Sequence, residues 1–521
     1  MADETCRAFD SQAPFDPGAV HRLVVGADPV PRRMSPAEIN ALGDPFATML
    51  LAKGKLPRSA EQVIDQLKDA APKNDPLRTQ RSFVLGEGSQ LASTAESEGV
   101  DRTMRFVVTL GAGSEGPDVF LSSLNPAHHG GIEVMVWDRE NGGFNFYRST
   151  GDTTMWMFAG NSRDALKDAS RGKGPFESHP SGSLLMKELK APWINWHSPD
   201  ANIEETAFAK GDKRRTHPWF KKKDPGGALA FQLEAAQPAM TRWVRARFEK
   251  LKKSGGPVTR PKQIMDQILG TPTVNLTTSS IASKALTADT PIFLPSTFFV
   301  DSDSLSAPPL GLDFPPPFEV SGKIYQRCLE KFEVRMDDGQ GFKQKGDTHF
   351  CFLVPERAFE DQAVLREAIS IGLVTKRLAT CLLMVDPWNP VFSTRRQALL
   401  QHVPVTATIK DGKSSFSNEM ADTILAAADL GPADAPEAEF AERWSAGASF
   451  AREANQLLKD YYKAVTTKLK TQAGFEPYFE LAEERRARFN QLPISEFPLL
   501  LPRTNIKAKG RVMRQDGSVG L

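Results

Sequence analysis

Cysteines and long apolar runs are scarce in this chain of 521 residues. The four cysteines are scattered and form no CxxC pair; they are Cys6, Cys328, Cys351 and Cys381. Zinc ribbons need closely spaced cysteine pairs and disulfide scaffolds are rich in cysteine, so the pattern argues against both classes and fits a reducing compartment. No apolar run approaches the roughly 20 residues that cross a bilayer. The polar, acidic start, MADETCRAFD, differs from a secretory signal. We therefore expect a cytoplasmic protein without a membrane span.

The motifs of several common enzyme classes are also missing. The sequence has no Walker loop, no GxGxxG that leads from a strand into a helix, no HExxH, no protein-kinase set and no GxSxG elbow. The Gly-rich stretch LGAGSEG (110–116) follows a strand pattern, but DVFL comes next, which is another strand pattern and not a phosphate-binding helix. We predict a hairpin loop there.

Histidine and tryptophan are crowded into one stretch, Asn125 to Phe220. This stretch holds five of the eight histidines and five of the eight tryptophans. Imidazole binds metals and transfers protons near neutral pH, and indole gives rigid apolar walls. The stretch therefore predicts a site, which we expect to take an apolar or aromatic small molecule, with or without an anionic group.

One part of this stretch has the spacing of a metal site. In NPAHHGGIEVMVWDRENGG, His129 and Glu133 are four residues apart, which places them on one face of an extended strand. A third ligand from His179 or His197 would complete a two-histidine, one-carboxylate set suited to iron. The alternative is that the histidines bond to backbone in a turn and Glu133 pairs with an arginine such as Arg139 or Arg148.

The same stretch resembles the first metal motif of the cupin family. His129, Glu133 and the turn glycine Gly142 match that motif in spacing. The resemblance implies a metal site on a β-rich fold. The sequence departs from the family pattern because His128 and His129 are adjacent, whereas the family separates its two histidines by one residue. The resemblance covers about twenty residues.

Three histidines are candidates for catalysis, namely His128, His179 and His197. His179 lies in Ser-His-Pro-Ser-Gly, beside two serines, and His197 lies in Trp-Ile-Asn-Trp-His-Ser. A histidine in such surroundings can be a haem ligand, a general base or a core residue with satisfied hydrogen bonds. Trp193 is a candidate wall of a cofactor site.

A basic segment follows. Residues 210–262 contain fifteen Lys or Arg against four Asp or Glu, a charge of +11, so the rest of the chain carries −10. Within it Arg214, Arg215 and His217 are candidates to bind phosphate, carboxylate or haem propionates. The segment could instead dock an acidic partner, or be a solvated face opposite the protein's own acidic residues. A nucleic-acid partner is not expected, because the sequence contains no recognisable nucleic-acid-binding module.

A weaker set of candidates lies in DPWNPVFSTRR (386–396). This segment follows the apolar run ATCLLMVD (379–386), which we predict to be a buried strand, and loops after strands often line sites. Asp386, Asn389, Arg395 and Arg396 are the candidates. The alternative is a helix start with Ser393 as its N-cap.

The patterns predict an α+β fold. We expect an extended arm over 1–58, a β-rich domain with a meander or barrel-like sheet over 59–270, a Pro- and Ser-rich connection over 271–320, a mixed to helical region over 321–502, and a frayed basic tail over 503–521. A hairpin is predicted with Asn141-Gly142 at its turn, and helices over 237–253, 361–372 and 436–471, the last with a kink near Gly447.

The function predicted from these patterns is a metal- or haem-dependent oxidoreductase whose site lies in 125–220. Two alternatives remain open. One is a metal-independent lyase, isomerase or cyclase that uses the same histidines as acid and base. The other is a non-catalytic protein that docks an acidic partner through residues 210–262.

Overall fold

A computed structural model describes residues 16–86, 104–123, 131–149, 155–184, 211, 213–221, 228–255, 257–258, 260–337, 339, 341–347, 350–492 and 501–521. The N-terminal half is built on a large sheet and the C-terminal half is mostly helical. The predicted α+β class is therefore confirmed.

One eight-stranded sheet organises the N-terminal half. Its strands are β1 (Val20–Arg22), β2 (Arg32–Arg33), β3 (Gln80–Gly86), β4 (Met104–Leu110), β5 (Val119–Ser123), β6 (Glu133–Asp138), β7 (Gly143–Ser149) and β8 (Trp156–Asn161). Strands β3 to β8 form an antiparallel meander in chain order, and β1 adds to β8 in parallel. Both faces of the central strands are buried. The consecutive residues Val134, Met135, Val136 and Trp137 point alternately to the two faces of the sheet, and all four are buried. The sheet is therefore a covered layer and not a solvated surface.

The predicted hairpin is present. Strands β6 and β7 pair with Asp138 opposite Gly143. The Asp138 carboxylate accepts hydrogen bonds from the backbone N–H groups of Glu140 and Asn141, at 2.9 and 3.0 Å. Gly142 has φ +63°, a conformation in which glycine carries no side-chain penalty. The Asp138 side chain and Gly142 therefore shape a four-residue loop, residues 139–142, that joins these strands.

The described residues of the predicted arm, 16–58, are folded and not extended. They form β1, β2, and the helices α1 (Pro36–Asn40) and α2 (Pro45–Met49), and Phe46 and Leu50 are fully buried. The Asp44 side chain caps α2 through the N–H of Ala47 at 2.9 Å. The sequence pattern missed these elements because each is only two to five residues long, which is too short to show a hydrophobic periodicity.

The other helices of this half cover the sheet or join it to the rest. They are α3 (Ala60–Ala70), α4 (Pro218–Lys221), α5 (Ala228–Phe231), α6 (Gln237–Ser254) and α7 (Pro261–Leu269). Ser59 is the N-cap of α3, and its side chain accepts from the N–H of Gln62 at 3.2 Å. Helix α6 confirms the helix predicted over 237–253, and its apolar stripe, Met240, Val244 and Phe248, is fully buried.

The predicted connection over 271–320 is also folded. It carries β10 (Val274–Thr277), β11 (Pro291–Leu294), α8 (Ser296–Phe299), α9 (Ser302–Leu305) and β12 (Phe318–Ser321). Phe298 and Phe299 are fully buried. Strand β11 pairs with β12, and β10 pairs with β15 (Val354–Arg357). The remaining short strands are β9 (Pro257–Val258), β13 (Arg335–Asp337), β14 (Lys343–Lys345) and β16 (Ala407–Thr408).

Helices dominate the rest of the C-terminal half. They are α10 (Gly322–Lys331), α11 (Phe359–Ser370), α12 (Lys376–Leu383), α13 (Thr394–Ala398), α14 (Phe416–Leu430), α15 (Pro436–Ser445), α16 (Phe450–Lys468) and α17 (Gln472–Asn490). The break between α15 and α16 confirms the kink predicted near Gly447, which has φ +56°.

Helix α12 overturns the strand predicted at 379–386. A continuous apolar run cannot distinguish a buried strand from a helix buried on all sides. Here the Thr375 side chain accepts a hydrogen bond from the N–H of Leu378 at 3.2 Å, which caps the helix. Residues 378–383 are all buried.

The chain after Arg503 is ordered and not frayed. Strand β17 (Pro502–Arg503) pairs with β13, and β18 (Val512–Met513) pairs with β19 (Val519–Gly520). Met513 is 1% exposed. Hydrogen bonds from the tail to Glu484 of α17 hold this tail against the helices. Among the described residues, no helix is both long and apolar enough to cross a membrane.

Candidate functional site

A large cavity lies in the helical half, not in the stretch rich in His and Trp. It has a volume of about 750 Å³, and it lies between the loop 386–393, helices α15 and α17, and the tail residues 510–515. Sites for small organic molecules usually measure roughly 300–1,000 Å³. The cavity is therefore the candidate ligand site of the described chain.

The loop 386–393 forms one wall and is held in an unusual backbone conformation. Asp386 and Phe392 have φ values of +51° and +61°, which are rare for residues other than glycine and cost on the order of 1–3 kcal/mol each. Below the loop, the buried guanidinium of Arg396 donates to the carbonyl oxygens of Asp386 at 2.8 Å and Asn389 at 2.6 Å. This buried cation helps to offset the strain by donating to these carbonyls.

The carboxylate of Asp386 is engaged inside this loop. One oxygen accepts from the Asn389 amide at 2.7 Å, and the other accepts from the Ser393 hydroxyl at 2.6 Å. The Ser393 oxygen in turn accepts from the N–H of Arg396 at 3.2 Å, so Ser393 is the N-cap of α13 as the alternative predicted. These groups hold the wall in shape, because their hydrogen bonds point into the loop.

The tail forms the opposite wall and is anchored by Glu484 of α17. The Glu484 carboxylate accepts from the backbone N–H groups of Lys509, Gly510 and Arg511, at 3.1, 2.9 and 2.9 Å, and it also pairs with the Arg511 guanidinium. Burial alone raises the pKa of Glu484, but the bonds from Arg511 and Lys509 outweigh it and hold this pKa below its ordinary value. The anchor is therefore an ionised carboxylate at neutral pH.

The cavity is rich in arginine. Six arginines and five carboxylates line it, a formal charge of +1. Three of the arginines are ion-paired with lining carboxylates: Arg395 with Glu439, Arg443 with Glu442 and Arg511 with Glu484. Of the other three, Arg514 donates to the terminal residue Leu521 at 2.9 Å. Among the residues that the structure describes, neither Arg485 nor Arg488 has an Asp or Glu carboxylate within 4.0 Å.

These two arginines lie on aromatic rings. The Arg488 guanidinium is exposed and lies 4.5 Å from the centroid of Phe392. Arg485 is 5% exposed, lies 4.6 Å from the centroid of Phe298 and donates to the Asn389 side-chain oxygen at 3.2 Å. Burial lowers the pKa of Arg485 to about 10, which still leaves it protonated at neutral pH. Arg485 also donates to the Phe298 carbonyl at 2.6 Å, so its N–H groups are engaged within the protein. The exposed Arg488 is the one whose stacked guanidinium keeps its N–H edge available for an anion.

Apolar side chains complete the wall. Trp388, Val391, Leu481 and Met513 are buried and line the cavity together with the half-buried Phe392. Aromatic and apolar walls with a few charged groups are typical of sites for small organic ligands. Among its described lining residues there is no histidine and no cysteine.

Most of the sequence-predicted site lies outside the described residues. This applies to His128, His129, Trp193 and His197, and the side chains of Arg214 and Arg215 are not described either. The predictions made for these residues remain predictions. Within the described part of the chain, no group of three or more metal-binding side chains comes together.

Glu133 is placed differently from the sequence expectation. Its side chain, expected to be a metal ligand, is 54% exposed at the start of β6. In the sheet register it lies directly opposite Arg148, whose Nε is 3.8 Å from its carboxylate. The predicted alternative, an ion pair between Glu133 and Arg148, is therefore present, and solvent at the strand end removes the cost of the charge.

His179 and His217 both have defined hydrogen bonds. His179 Nδ1 lies 2.8 Å from the carbonyl oxygen of Ser183, and its ring packs against Phe146. His217 Nδ1 accepts from the N–H of Trp219 at 3.2 Å, so Nε2 carries the proton and donates to Glu61 at 2.9 Å. Through its hydrogen bond to Glu61, the buried His217 links the basic segment to helix α3.

The basic segment faces the protein's own acids over much of α6. Arg242 binds Asp118 at 2.7 Å and lies 4.1 Å from the centroid of Trp137. Arg245 pairs with Glu115 at 3.3 Å. At these two arginines the structure matches the alternative that the segment lies opposite the protein's own acidic residues. The segment's other lysines and arginines leave the docking prediction untested.

Comparison with known proteins identifies no relative. No family model matches the chain, and no curated protein and no solved structure is significantly similar to it. The cupin resemblance thus stays a local similarity of sequence.

Sequence reasoning found one wall of the cavity and missed the others. Asp386, Asn389 and Arg395 of the weaker candidate set line it. Helix α17 and the tail showed no local signal, because their role comes from contacts over long sequence distances, such as Asn389 with Met513. The available clue was chemical: arginine is frequent in 485–488 and 511–514.

Proposed function

We propose that the protein binds a small organic anion with an apolar or aromatic body in the cavity between α15, α17, the loop 386–393 and the tail. The observation that carries the proposal is Arg488, which is stacked on Phe392 at the cavity and has no carboxylate within 4.0 Å among the described residues. A carboxylate, sulfonate or phosphate group of the ligand would accept from this guanidinium, and the apolar walls would cover the ligand's body.

The engaged polar groups favour binding over acid–base chemistry in this cavity. Both oxygens of Asp386 accept hydrogen bonds, and Ser393 both donates and accepts. A general base or nucleophile needs a free position within hydrogen-bond reach of its substrate. The oxidoreductase predicted for 125–220, its possible iron or haem and its acid–base alternative concern other residues and remain separate predictions.

The experiment is a titration with two probes of similar shape. Anilinonaphthalene sulfonate carries one negative charge, and phenylnaphthylamine is the neutral relative. We expect Arg488→Gln to weaken sulfonate binding roughly tenfold or more, because a charge-assisted hydrogen bond contributes about 1.5–3 kcal/mol. Binding of the neutral probe should change little.

Arg452→Gln is the matched control, since Arg452 is an exposed arginine of α16 that does not line the cavity. It should bind both probes as the wild type does. Equal sulfonate affinity for the wild type and Arg488→Gln would contradict the proposal.

A further inference from the structure

A second groove runs along helix α16, apart from the cavity of the proposed function. It has a volume of about 490 Å³ and lies between α16 and the loop 313–316. The residues that line the groove and those that line the cavity are entirely different. The role of the groove is therefore independent of the proposed function.

The loop that borders this groove is anchored. The N–H of Asp313 donates to the Asn455 side chain at 2.9 Å, and the N–H of Leu312 donates to the carbonyl of Leu305 at 2.9 Å. Leu312 is buried, yet the neighbouring Phe314 is 70% exposed. Burying a phenylalanine contributes about 1.5–3 kcal/mol, so contact between this ring and an apolar group of a partner would stabilise a complex.

The helix side of the groove is positively charged. Lys459, Lys463 and Lys470 are spaced by four and seven residues, which places them on one stripe of the helix and its end. Among the described residues none of the three has a carboxylate within 4.0 Å. The acidic member of the lining is Asp313, so the groove has a formal charge of +2.

The floor between these lysines is aromatic. Tyr462 is 5% exposed and its ring packs against Phe318 at 5.9 Å. Burial raises the pKa of Tyr462 further above its ordinary value, so its hydroxyl is neutral at neutral pH. The groove thus combines an apolar floor, one exposed aromatic ring and a stripe of cations.

We propose that this groove docks an acidic segment of a partner protein, with an apolar side chain of that segment against Phe314. The lysine stripe runs over about 16 Å at 1.5 Å per helical residue. That length matches about five residues of extended chain and exceeds a typical small ligand. A peptide fits better than a nucleic acid, because Asp313 lies in the groove and three lysines supply little phosphate affinity.

The test is fluorescence anisotropy with the full-length protein and a labelled peptide of repeating Glu-Glu-Leu sequence, at low and moderate salt. The reference peptide has glutamine in place of each glutamate. We expect salt-sensitive binding of the acidic peptide. The double variant Lys459→Gln and Lys463→Gln should weaken that binding at least tenfold, and Phe314→Ala should weaken it severalfold. Lys376→Gln changes an exposed lysine outside the groove and should have no effect.

Three results would overturn the proposal. They are no measurable binding of the acidic peptide at low salt, equal affinity for the glutamate and glutamine peptides, and unchanged affinity in the lysine double variant. Preferential binding of a single-stranded oligonucleotide at the same lysines would assign the groove to nucleic acid and would overturn the peptide proposal as well. Circular dichroism of each variant checks that helix content is kept.

Discussion

Asn389 and Met513 are 124 residues apart and exchange two hydrogen bonds. The N–H of Met513 donates to the Asn389 side-chain oxygen at 3.0 Å, and the Asn389 amide donates to the Met513 carbonyl at 2.9 Å. The Asn389 side-chain amide takes the place of the backbone of a neighbouring strand, because it bonds to both the N–H and the carbonyl of Met513. The loop 386–393 and the tail are thereby joined into the two walls of one cavity.

The first prediction concerns this junction. Asn389→Ala should destabilise the protein by roughly 2–4 kcal/mol, because several buried groups lose their partners at about 1–3 kcal/mol each. The tail should also become sensitive to protease. Urea unfolding and limited proteolysis measure both effects. Asn505→Ala, at an exposed position of the same tail, should change stability by less than about 0.5 kcal/mol. A wild-type unfolding midpoint and cleavage rate in Asn389→Ala would refute the role of this residue.

The second prediction concerns the carboxylate anchor Glu484. Its folded pKa lies below the unfolded one, so its contribution is full above about pH 4.5 and is lost as the pH falls through the folded value. The tail should therefore detach in acid before the rest of the molecule unfolds. At neutral pH, Glu484→Gln should cost roughly 1.5–3 kcal/mol and speed cleavage of the tail.

Hydrogen exchange of the tail amides follows this detachment directly. The exposed helix residue Glu330, changed to Gln, is the matched control and should leave tail protection as it is in the wild type. Tail protection in Glu484→Gln that equals the wild type across this pH range would contradict the anchor.

The sequence predicted elements where local signals are strong. The hairpin at Asn141-Gly142 and helix α6 follow from turn chemistry and from helical periodicity. The sequence patterns failed at 379–386, because an all-apolar run contains no periodicity. They also failed at β1, because that strand has only three residues. The cavity could be foreseen only in part, since its four segments meet through contacts such as that of Asn389 with Met513, which no local pattern encodes.

The third prediction concerns Glu360, which is fully buried in α11. Burial raises its pKa to about 7, although the nearby Arg247 opposes the rise. Because the folded pKa is above the unfolded one, the folded state binds the proton more tightly, and stability falls as pH rises from about 4.5 to about 7. Glu360→Gln should therefore stabilise the protein by about 1–3 kcal/mol at about pH 8 and flatten this pH dependence.

Denaturant unfolding at several pH values measures this effect. Glu367→Gln lies on the same helix but is partly exposed, and it should leave the pH dependence as in the wild type. A loss of stability in Glu360→Gln at about pH 8 would show that the ionised carboxylate is needed beside Arg247.

The fourth prediction tests the oxidoreductase proposed from the sequence. We expect the freshly purified protein to contain a near-stoichiometric transition metal or to show a Soret band. His129→Ala and Glu133→Ala should each lose the bound metal while the fold stays intact. Elemental analysis and an absorption spectrum measure this. A colourless, metal-free protein, or unchanged metal content in both variants, would contradict the predicted metal site.

The measurement that tests the central claim most directly is a crystal structure of the protein with anilinonaphthalene sulfonate bound. We predict density for the probe in the cavity, with the sulfonate within hydrogen-bond distance of the Arg488 guanidinium and the rings against the apolar walls that include Trp388. A probe bound only elsewhere, for example against Phe314 or the N-terminal sheet, would contradict the assignment of this cavity as the ligand site.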